Sequence, residues 1–285
     1  MTASGTLELP GISDGNFRII AGIAKNYAGI CLSEKKKSLV YSRISRRVRQ
    51  EGFSSFDEYC VFLTSDAGSG ERQHLVSALT TNVTSFFREK HHFTYLEHLL
   101  LQKLYSRLER REELRIWSAG CSSGEEAYSI AMTVLKSLSG VPNLKAKILA
   151  TDIDPDILGQ ARLGSYASVE AEALFEEGAL PFCRLESGRV VMSDKIRDMI
   201  RFRHLNLIEP WPFSSCFHAI FCRNVAIYFD RETQDRLWRN LSERIFQGGE
   251  LYLGHSERIA HPERFGMESM GYNAYRKVSS GGKRS

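Results

Sequence analysis

Up to about residue 108, apolar residues recur at helical spacing, with short polar breaks between runs. Residues 17–30 form an apolar-rich stretch that predicts a helix ending near Gly29. A second helix starts close to Ser33, where Ser-Glu suits the positive end of the helix dipole. Over residues 38–50, helical spacing groups Lys36, Arg43, Arg46, Arg47 and Gln50 on one side and Val40, Tyr41, Ile44 and Val48 on the adjoining one. One face of this helix is expected to pack while the other presents guanidinium groups to solvent. Residues 56–64 and 71–80 predict further helices around the polar break 65–70. Residues 93–108 predict a long one that leads into the charged hinge 109–113.

From Leu114 the rhythm becomes strand, glycine turn, helix, strand. Residues 114–117 and 146–150 predict buried strands, and 125–138 and 155–162 the helices that follow them, the second with Pro155 in its first turn. Residues 166–205 interrupt the alternation with short strands at 188–192 and 200–204, an expected small antiparallel insertion. Strand, helix, strand then resume at 219–222, 231–246 and 250–253, with a last strand at 272–278. This succession predicts an α/β fold, a doubly wound parallel domain behind an all-helical N-terminal one.

Composition fits that picture: at 42% hydrophobic and 25% charged residues, the 285-residue chain is neither disordered nor low-complexity. No apolar run approaches the roughly 20 residues that span a bilayer. Residues 1–15 lack the basic start and apolar core of a signal peptide, so a cytoplasmic protein without membrane insertion is expected. The six cysteines are scattered, with no CxxC pair and no nearby His pair, which points to reduced thiols and to no metal site.

Charge adds an asymmetry. The formal net charge is +4, yet residues 15–50 hold nine Lys/Arg against Glu34 alone. That segment is +8 and the remainder −4, so a basic helical module precedes a mildly acidic body and suggests an anionic partner.

The strongest chemical signal runs Arg115-Ile116-Trp117-Ser118-Ala119-Gly120-Cys121-Ser122-Ser123-Gly124-Glu125-Glu126. A strand entering a glycine turn that opens a helix is where an α/β sheet binds an adenosine-bearing ligand. Glu125 and Glu126 at the helix N-terminus would repel a pyrophosphate. They suit a cationic ligand such as the amino group and sulfonium of S-adenosylmethionine. Asp152, at the end of the next strand, is placed to accept from ribose hydroxyls. The 152–155 run reads equally as a helix cap, and the two roles are compatible.

With these residues, the segments Thr80-Thr81-Asn82-Val83-Thr84-Ser85-Phe86-Phe87-Arg88-Glu89, Ile220-Phe221-Cys222-Arg223-Asn224-Val225-Ala226-Ile227-Tyr228-Phe229 and Gly254-His255-Ser256-Glu257 resemble the CheR-type chemoreceptor glutamate methyltransferases. The resemblance spans residues 15–278 in order. It implies a helical domain (1–90) that docks on the receptor, a linker helix (91–113) and an S-adenosylmethionine-dependent methyltransferase domain (114–285) with its β insertion at about 166–205. Carried over by motif, Asn82, Thr84 and Arg88 close over the cofactor. Glu125 and Asp152 hold its amino group and ribose, and Asn206, Leu207, Arg223 and Asn224 line its adenine and methionine parts. Arg88 and Tyr228 lie beside the transferred methyl.

His218 and Cys121 depart from the usual Asp and Ala. The insertion is about three residues shorter than in the enteric members, where it grips a receptor tail peptide. The implied reaction is methyl esterification of glutamates on methyl-accepting chemoreceptor cytoplasmic helices in sensory adaptation, by a chain compatible with a monomer.

Those acidic helices are the partner expected for Lys36, Arg43, Arg46 and Arg47. Nucleic acid is the competing reading of the basic face, but only Tyr27 and Tyr41 are near enough to stack. Two other functional readings stand beside the chosen one: an S-adenosylmethionine enzyme acting on a nucleic acid or small molecule, and a module that binds the cofactor without turnover.

Overall fold

The computed structural model describes residues 9, 11–80, 82–110 and 112–278. Most of the stretch read for a leader lies outside them, as do Thr81 of the 80–89 motif, Arg111 of the hinge and the last seven residues.

One compact unit runs to residue 81 and takes in 228–230. Its helices are α1 (Asp14–Ala28), α2 (Lys37–Gln50), α3 (Phe56–Thr64) and α4 (Ser69–Leu79). Ser13 caps α1 by accepting from the Asn16 N–H (3.1 Å). Gly29 ends it at φ 72°, a left-handed conformation that favours glycine. Ile20 and Ala24 of α1, Val40, Ile44 and Val48 of α2 and Leu75 and Val76 of α4 are buried, with α4 packed against both other helices.

α4 also brings Glu71 into this core, 6% exposed. Its carboxylate accepts two hydrogen bonds from the Arg47 guanidinium and one from the Tyr59 hydroxyl (2.7 Å). Burial by itself would raise the Glu71 pKa; the Arg47 and Tyr59 donors outweigh it and hold the group below the usual carboxylate range.

The basic face of α2 is revised accordingly. Arg47 turns inward to Glu71 and also pairs with Glu51 (2.9 Å), while Arg43 donates to the Leu79 carbonyl. A helical wheel of α2 cannot show that α4 arrives on that side carrying a carboxylate. Arg46 and Arg49 stay exposed. Lys36 is half-buried with its Nζ 5.9 Å from the Tyr228 ring centroid.

The second unit comprises residues 82–227 and 231 onward. It opens with α5 (His91–Leu99), which passes through a π-helical turn (Leu100–Leu104) into α6 (Tyr105–Glu109). Residues read as a linker are therefore integral here: Phe93, Leu96, Leu99, Leu100, Leu104 and Leu108 join the core of this unit.

The strands are β1 (Leu114–Ala119), β2 (Ala146–Asp152), β3 (Ser165–Ala167), β4 (Cys183–Glu186), β5 (Arg189–Met192), β6 (Ile200–His204), β7 (Phe217–Cys222), β8 (Ile245–Leu253), β9 (Met267–Gly271) and β10 (Ala274–Lys277). Between them lie α7 (Glu125–Ser137), α8 (Pro155–Leu163), the short α9 (Glu172–Glu176) and α10 (Asp194–Arg197), and α11 (Arg231–Glu243).

Seven strands form the main sheet in the order β6-β2-β1-β7-β8-β10-β9. The first five are parallel, and β10 runs antiparallel to both of its neighbours. The order reverses between β1 and β7, which creates the crevice where such sheets hold ligands.

Two expectations are corrected. Residues 200–204 do not belong to the antiparallel insertion: β6 pairs parallel with β2, Ile148 opposite Ile200 through Asp152 opposite His204. Its alternation of Ile200 and Phe202 with exposed Arg201 and Arg203 marks a strand with one wet face, and an edge strand and a hairpin strand share that pattern. The insertion is the sheet β3-β5-β4, so it ends by Met192. The last strand is a hairpin, β9 to β10, turned by Tyr272 and Asn273 at φ 48° and 57°.

Replacing Glu71 by Ala is expected to lower stability in urea unfolding by about 2–4 kcal/mol, since it removes the buried acceptor of both the Arg47 guanidinium and the Tyr59 hydroxyl. The folded pKa of Glu71 is depressed. Its contribution is therefore full above the unfolded value of about 4.3 and is lost as pH falls through the lower folded value. Stability curves of the native chain and Glu71→Gln are expected to converge as pH drops through that window.

Candidate active site

The loops that follow β1, β2, β6, β7 and β8 all leave the carboxyl edge of the sheet, and they carry most of the residues singled out by motif. After β1, the Gly120 and Cys121 N–H groups donate to the Thr151 carbonyl (2.7 and 2.9 Å), which ties this turn to the end of β2. Gly120 sits at φ 83°, and a Cβ there would lie 2.3 Å from Val225 Cγ2. Gly124, at φ 100°, opens α7.

Asp152 accepts from the Ser122 N–H on Oδ2 (2.8 Å) and from the Asp154 N–H on Oδ1 (3.0 Å). A carboxylate has about four lone-pair sites, so acceptor capacity remains for a ligand such as a ribose diol. Burial raises the Asp152 pKa against its backbone donors. The neighbouring Asp154 caps α8 by accepting from the Asp156 and Ile157 N–H groups. The helix cap is thus Asp154, and Asp152 is not used for it.

Asn82 docks onto these turns: its Nδ2 donates to Asp154 Oδ2 (3.1 Å) and its carbonyl accepts from Ser122 Oγ (3.0 Å). Half-buried Thr84 follows. Arg88 then stands between Phe87 and Glu89, both left-handed at φ 52° and 58°. Its guanidinium donates to the Val83 carbonyl (3.1 Å) and has no ion pair among the described residues.

Glu125 and Glu126, read together as suited to a cation, separate in the structure. Glu125 accepts from Ser123 Oγ (2.7 Å) and is buried at the helix start. Glu126 is committed internally, taking Ser118 Oγ (2.6 Å) on one oxygen and Arg223 Nη1 (3.1 Å) on the other. Arg223, expected to line the cofactor, is drawn into the same network: its Nη2 bonds the Arg88 carbonyl (2.5 Å) and lies 3.4 Å from Glu89.

Asn206 is buried, accepting from the Ile208 N–H (3.3 Å) and donating to Glu209 (3.0 Å), with buried Leu207 beside it. Asn224 is left-handed at φ 60°. Tyr228 belongs to the helical unit, where its carbonyl accepts from the Cys31 N–H (2.8 Å).

Glu257 ends the Gly254-His255-Ser256-Glu257 motif, where sequence alone gives it no role. Its carboxylate, 4% exposed, accepts four backbone N–H groups: Asn224 (2.8 Å) and Gly254 (2.7 Å) on Oε2, Val225 (2.9 Å) and Ala226 (2.6 Å) on Oε1. All its acceptor sites are used, so it organises the loop after β7 and has none left for a ligand. A Cβ on Gly254 would meet Asn224 Nδ2 at 2.7 Å, which explains the glycine. Only the Gly-x-x-acid spacing hinted at this loop.

Taken together, the crevice offers carboxylates and amide groups, with its nearest buried guanidinium already neutralised. That donor set fits a ligand with a ribose and a positive charge better than a pyrophosphate.

Known proteins agree with that chemistry. The all-alpha domain of CheR methyltransferases matches residues 15–80, and the S-adenosylmethionine binding domain of CheR methyltransferases matches residues 82–273. The chain belongs to the CheR methyltransferase family. A probable chemotaxis protein methyltransferase of Rhizobium etli is 43% identical over 258 residues, covering 89% of this chain and 96% of that protein. Chemotaxis protein methyltransferase 2 of Pseudomonas aeruginosa is 41% identical, covering 87% of each chain. The chemotaxis protein methyltransferase of Escherichia coli is 39% identical, covering 89% of this chain and 87% of its own. This CheR chain is thus a methyltransferase of chemotaxis that uses S-adenosylmethionine. Among the described residues, no helix is long and apolar enough to cross a membrane.

Glu257→Gln places an amide NH2 against two of the four N–H groups. It is expected to weaken S-adenosylmethionine binding about tenfold and to lower stability by about 1–3 kcal/mol, read by calorimetric titration and thermal unfolding. Unchanged affinity would separate the loop after β7 from the cofactor site.

Proposed function

We propose that the chain esterifies glutamate side chains on the cytoplasmic helices of methyl-accepting chemoreceptors, with Arg88 and Tyr228 at the reacting groups. The observation that carries this reading is Arg88: a guanidinium without an ion pair among the described residues, set by a strained and tightly held segment beside the cofactor loops. S-adenosylmethionine supplies an electrophilic methyl on a sulfonium.

A glutamate carboxylate is already an anion at neutral pH, so the chain needs no general base to activate it. What remains is orientation and exclusion of water. Arg88 would hold one carboxylate oxygen and leave the other to react, and the Tyr228 hydroxyl would steady the same group. Asp152 would hold the ribose, Glu125 the amino group, and Asn206, Leu207 and Asn224 the adenine and methionine parts. Arg223 acts through Glu126 and the Arg88 carbonyl. The resemblance supports these assignments, and the carboxyl-edge placement of all but Tyr228 is consistent with them.

The deciding experiment gives labelled S-adenosylmethionine and the full chain to receptor cytoplasmic fragments. The expected product is protein-bound methyl released as methanol by mild alkali. A base-stable product, or no transfer, would overturn the reading. Arg88→Ala is expected to lower kcat by about 10²–10³-fold and to loosen the cofactor. Unimpaired turnover and affinity would remove Arg88 from the site.

Receptor recognition is assigned to the basic side of α2, with Arg46 its exposed centre, Lys36 and Arg43 flanking it, and Arg47 acting as the internal brace. Reversing Arg47 would break the Glu71 pair and confound the result, so the test is Arg46→Glu. It is expected to raise acceptor KM roughly threefold to tenfold, as loss of a rim charge does, while cofactor affinity stays the same. Initial rates over a range of receptor-fragment concentrations at low salt would measure this.

A further inference from the structure

Next to the site, a buried cluster brings two acceptor atoms close together. Glu89 Oε2 and His92 Nδ1 are 3.6 Å apart, and neither has a hydrogen-bond partner. The His92 side chain is fully buried and its Nε2 lies 2.9 Å from the Tyr272 carbonyl. A carbonyl only accepts, so Nε2 carries the proton and the neutral ring leaves its Nδ1 lone pair bare. At 3.6 Å the pair is too far apart for an N–H···O bond, which closes to 2.7–3.2 Å.

His91, the first residue of α5, completes the group: one donor atom each from Glu89, His91 and His92 falls within 4.8 Å of the others. The His91 ring meets that of His92 at 4.2 Å between centroids.

We infer that Glu89, His91 and His92 form a binding site for a divalent transition-metal ion of the zinc class. Two imidazoles and one carboxylate are a zinc donor set, whereas magnesium and calcium take oxygen ligands. Ligands bonded at about 2.0–2.1 Å around a tetrahedral ion lie about 3.3–3.4 Å apart, close to the 3.6 Å seen here. The bond from His92 Nε2 to a backbone carbonyl is the outer contact that orients a metal-binding histidine.

Arg223 is flanked by two carboxylates, Glu126 and Glu89. His255, whose Nδ1 is 3.4 Å from Glu89 Oε1, lies at the open side. The cysteines take no part: Cys121, in the turn after β1, and Cys222, at the end of β7, are buried, and none lies in the cluster.

The test uses the full chain, stripped of metal by a chelator and with its thiols alkylated, titrated with zinc against a chromophoric competitor. One equivalent is expected to bind, and His91→Ala, which alters a half-buried side chain, is expected to weaken it at least tenfold. His261→Ala, at an exposed His–Glu pair elsewhere, is expected to leave binding unchanged. Cobalt should give a visible d–d band that His91→Ala and Glu89→Gln remove. Circular dichroism of each variant establishes that it is folded. Failure to bind one equivalent, undiminished binding by folded His91→Ala, or ring-nitrogen NMR showing His92 protonated on both nitrogens in the metal-free chain at pH 7 would each overturn the site.

Discussion

The second unit depends on one guanidinium buried where its sheet reverses. Arg223 leaves the end of β7, 3% exposed in its side chain, and reaches Glu126 at the start of α7 and both Glu89 and the Arg88 carbonyl in the preceding segment. Three stretches, the farthest two 135 positions apart, are held by one side chain. Without the cation, Glu126 and Glu89 would be two carboxylates in a water-poor setting, and removing one partner of such a group costs about 3–5 kcal/mol. Burial already pushes the Glu126 pKa upward against the pull of Arg223. The network therefore sets the position of Arg88 through its backbone, while the Arg88 side chain stays outside the network.

The same unit concentrates unusual backbone around the site. Phe87, Glu89, Ser122 and Asn224 all take positive φ without being glycine, at roughly 1 kcal/mol or more each. Three of them donate their N–H to a side chain from another loop or helix: Phe87 to Ser129, Ser122 to Asp152 and Asn224 to Glu257. These hydrogen bonds join each loop to its neighbour, so the loops at the carboxyl edge form a connected set. Asp152 and Glu257 show how a carboxylate divides between structure and binding. The first retains acceptor capacity and the second has none.

Much of this was legible in the sequence. Helical spacing located α1 to α4 of the first unit, and the strand-turn-helix rhythm located β1, β2, β7 and β8 with α7, α8 and α11, but not the short α9 and α10. It failed where a local pattern has two tertiary outcomes. Residues 200–204 alternate in the same way as an edge strand and as a hairpin strand, and β9 is a short Met-Glu-Ser-Met stretch with little apolar periodicity. Candidate residues at strand ends could be found because topology puts strand ends together. Arg47, Arg223 and Glu126 were read as facing solvent or ligand because their partners lie 24 and 97 positions away, beyond any local pattern. Tyr228 came from resemblance alone, as an Ile-Tyr-Phe run carries no chemical signal of its own.

Arginine pairing gives the charge distribution a more specific meaning than a basic module ahead of an acidic body. Arg47 is matched by Glu71 and Glu51, Arg107 by Glu112, Arg223 by Glu126 and Glu89, and Arg276 by Glu250. Arg88 and Arg46 have no such partner among the described residues. An arginine held in place by its neighbours and left without a counter-charge attracts a carboxylate from outside the chain, and at Arg88 the geometry of the guanidinium favours one that arrives edge-on.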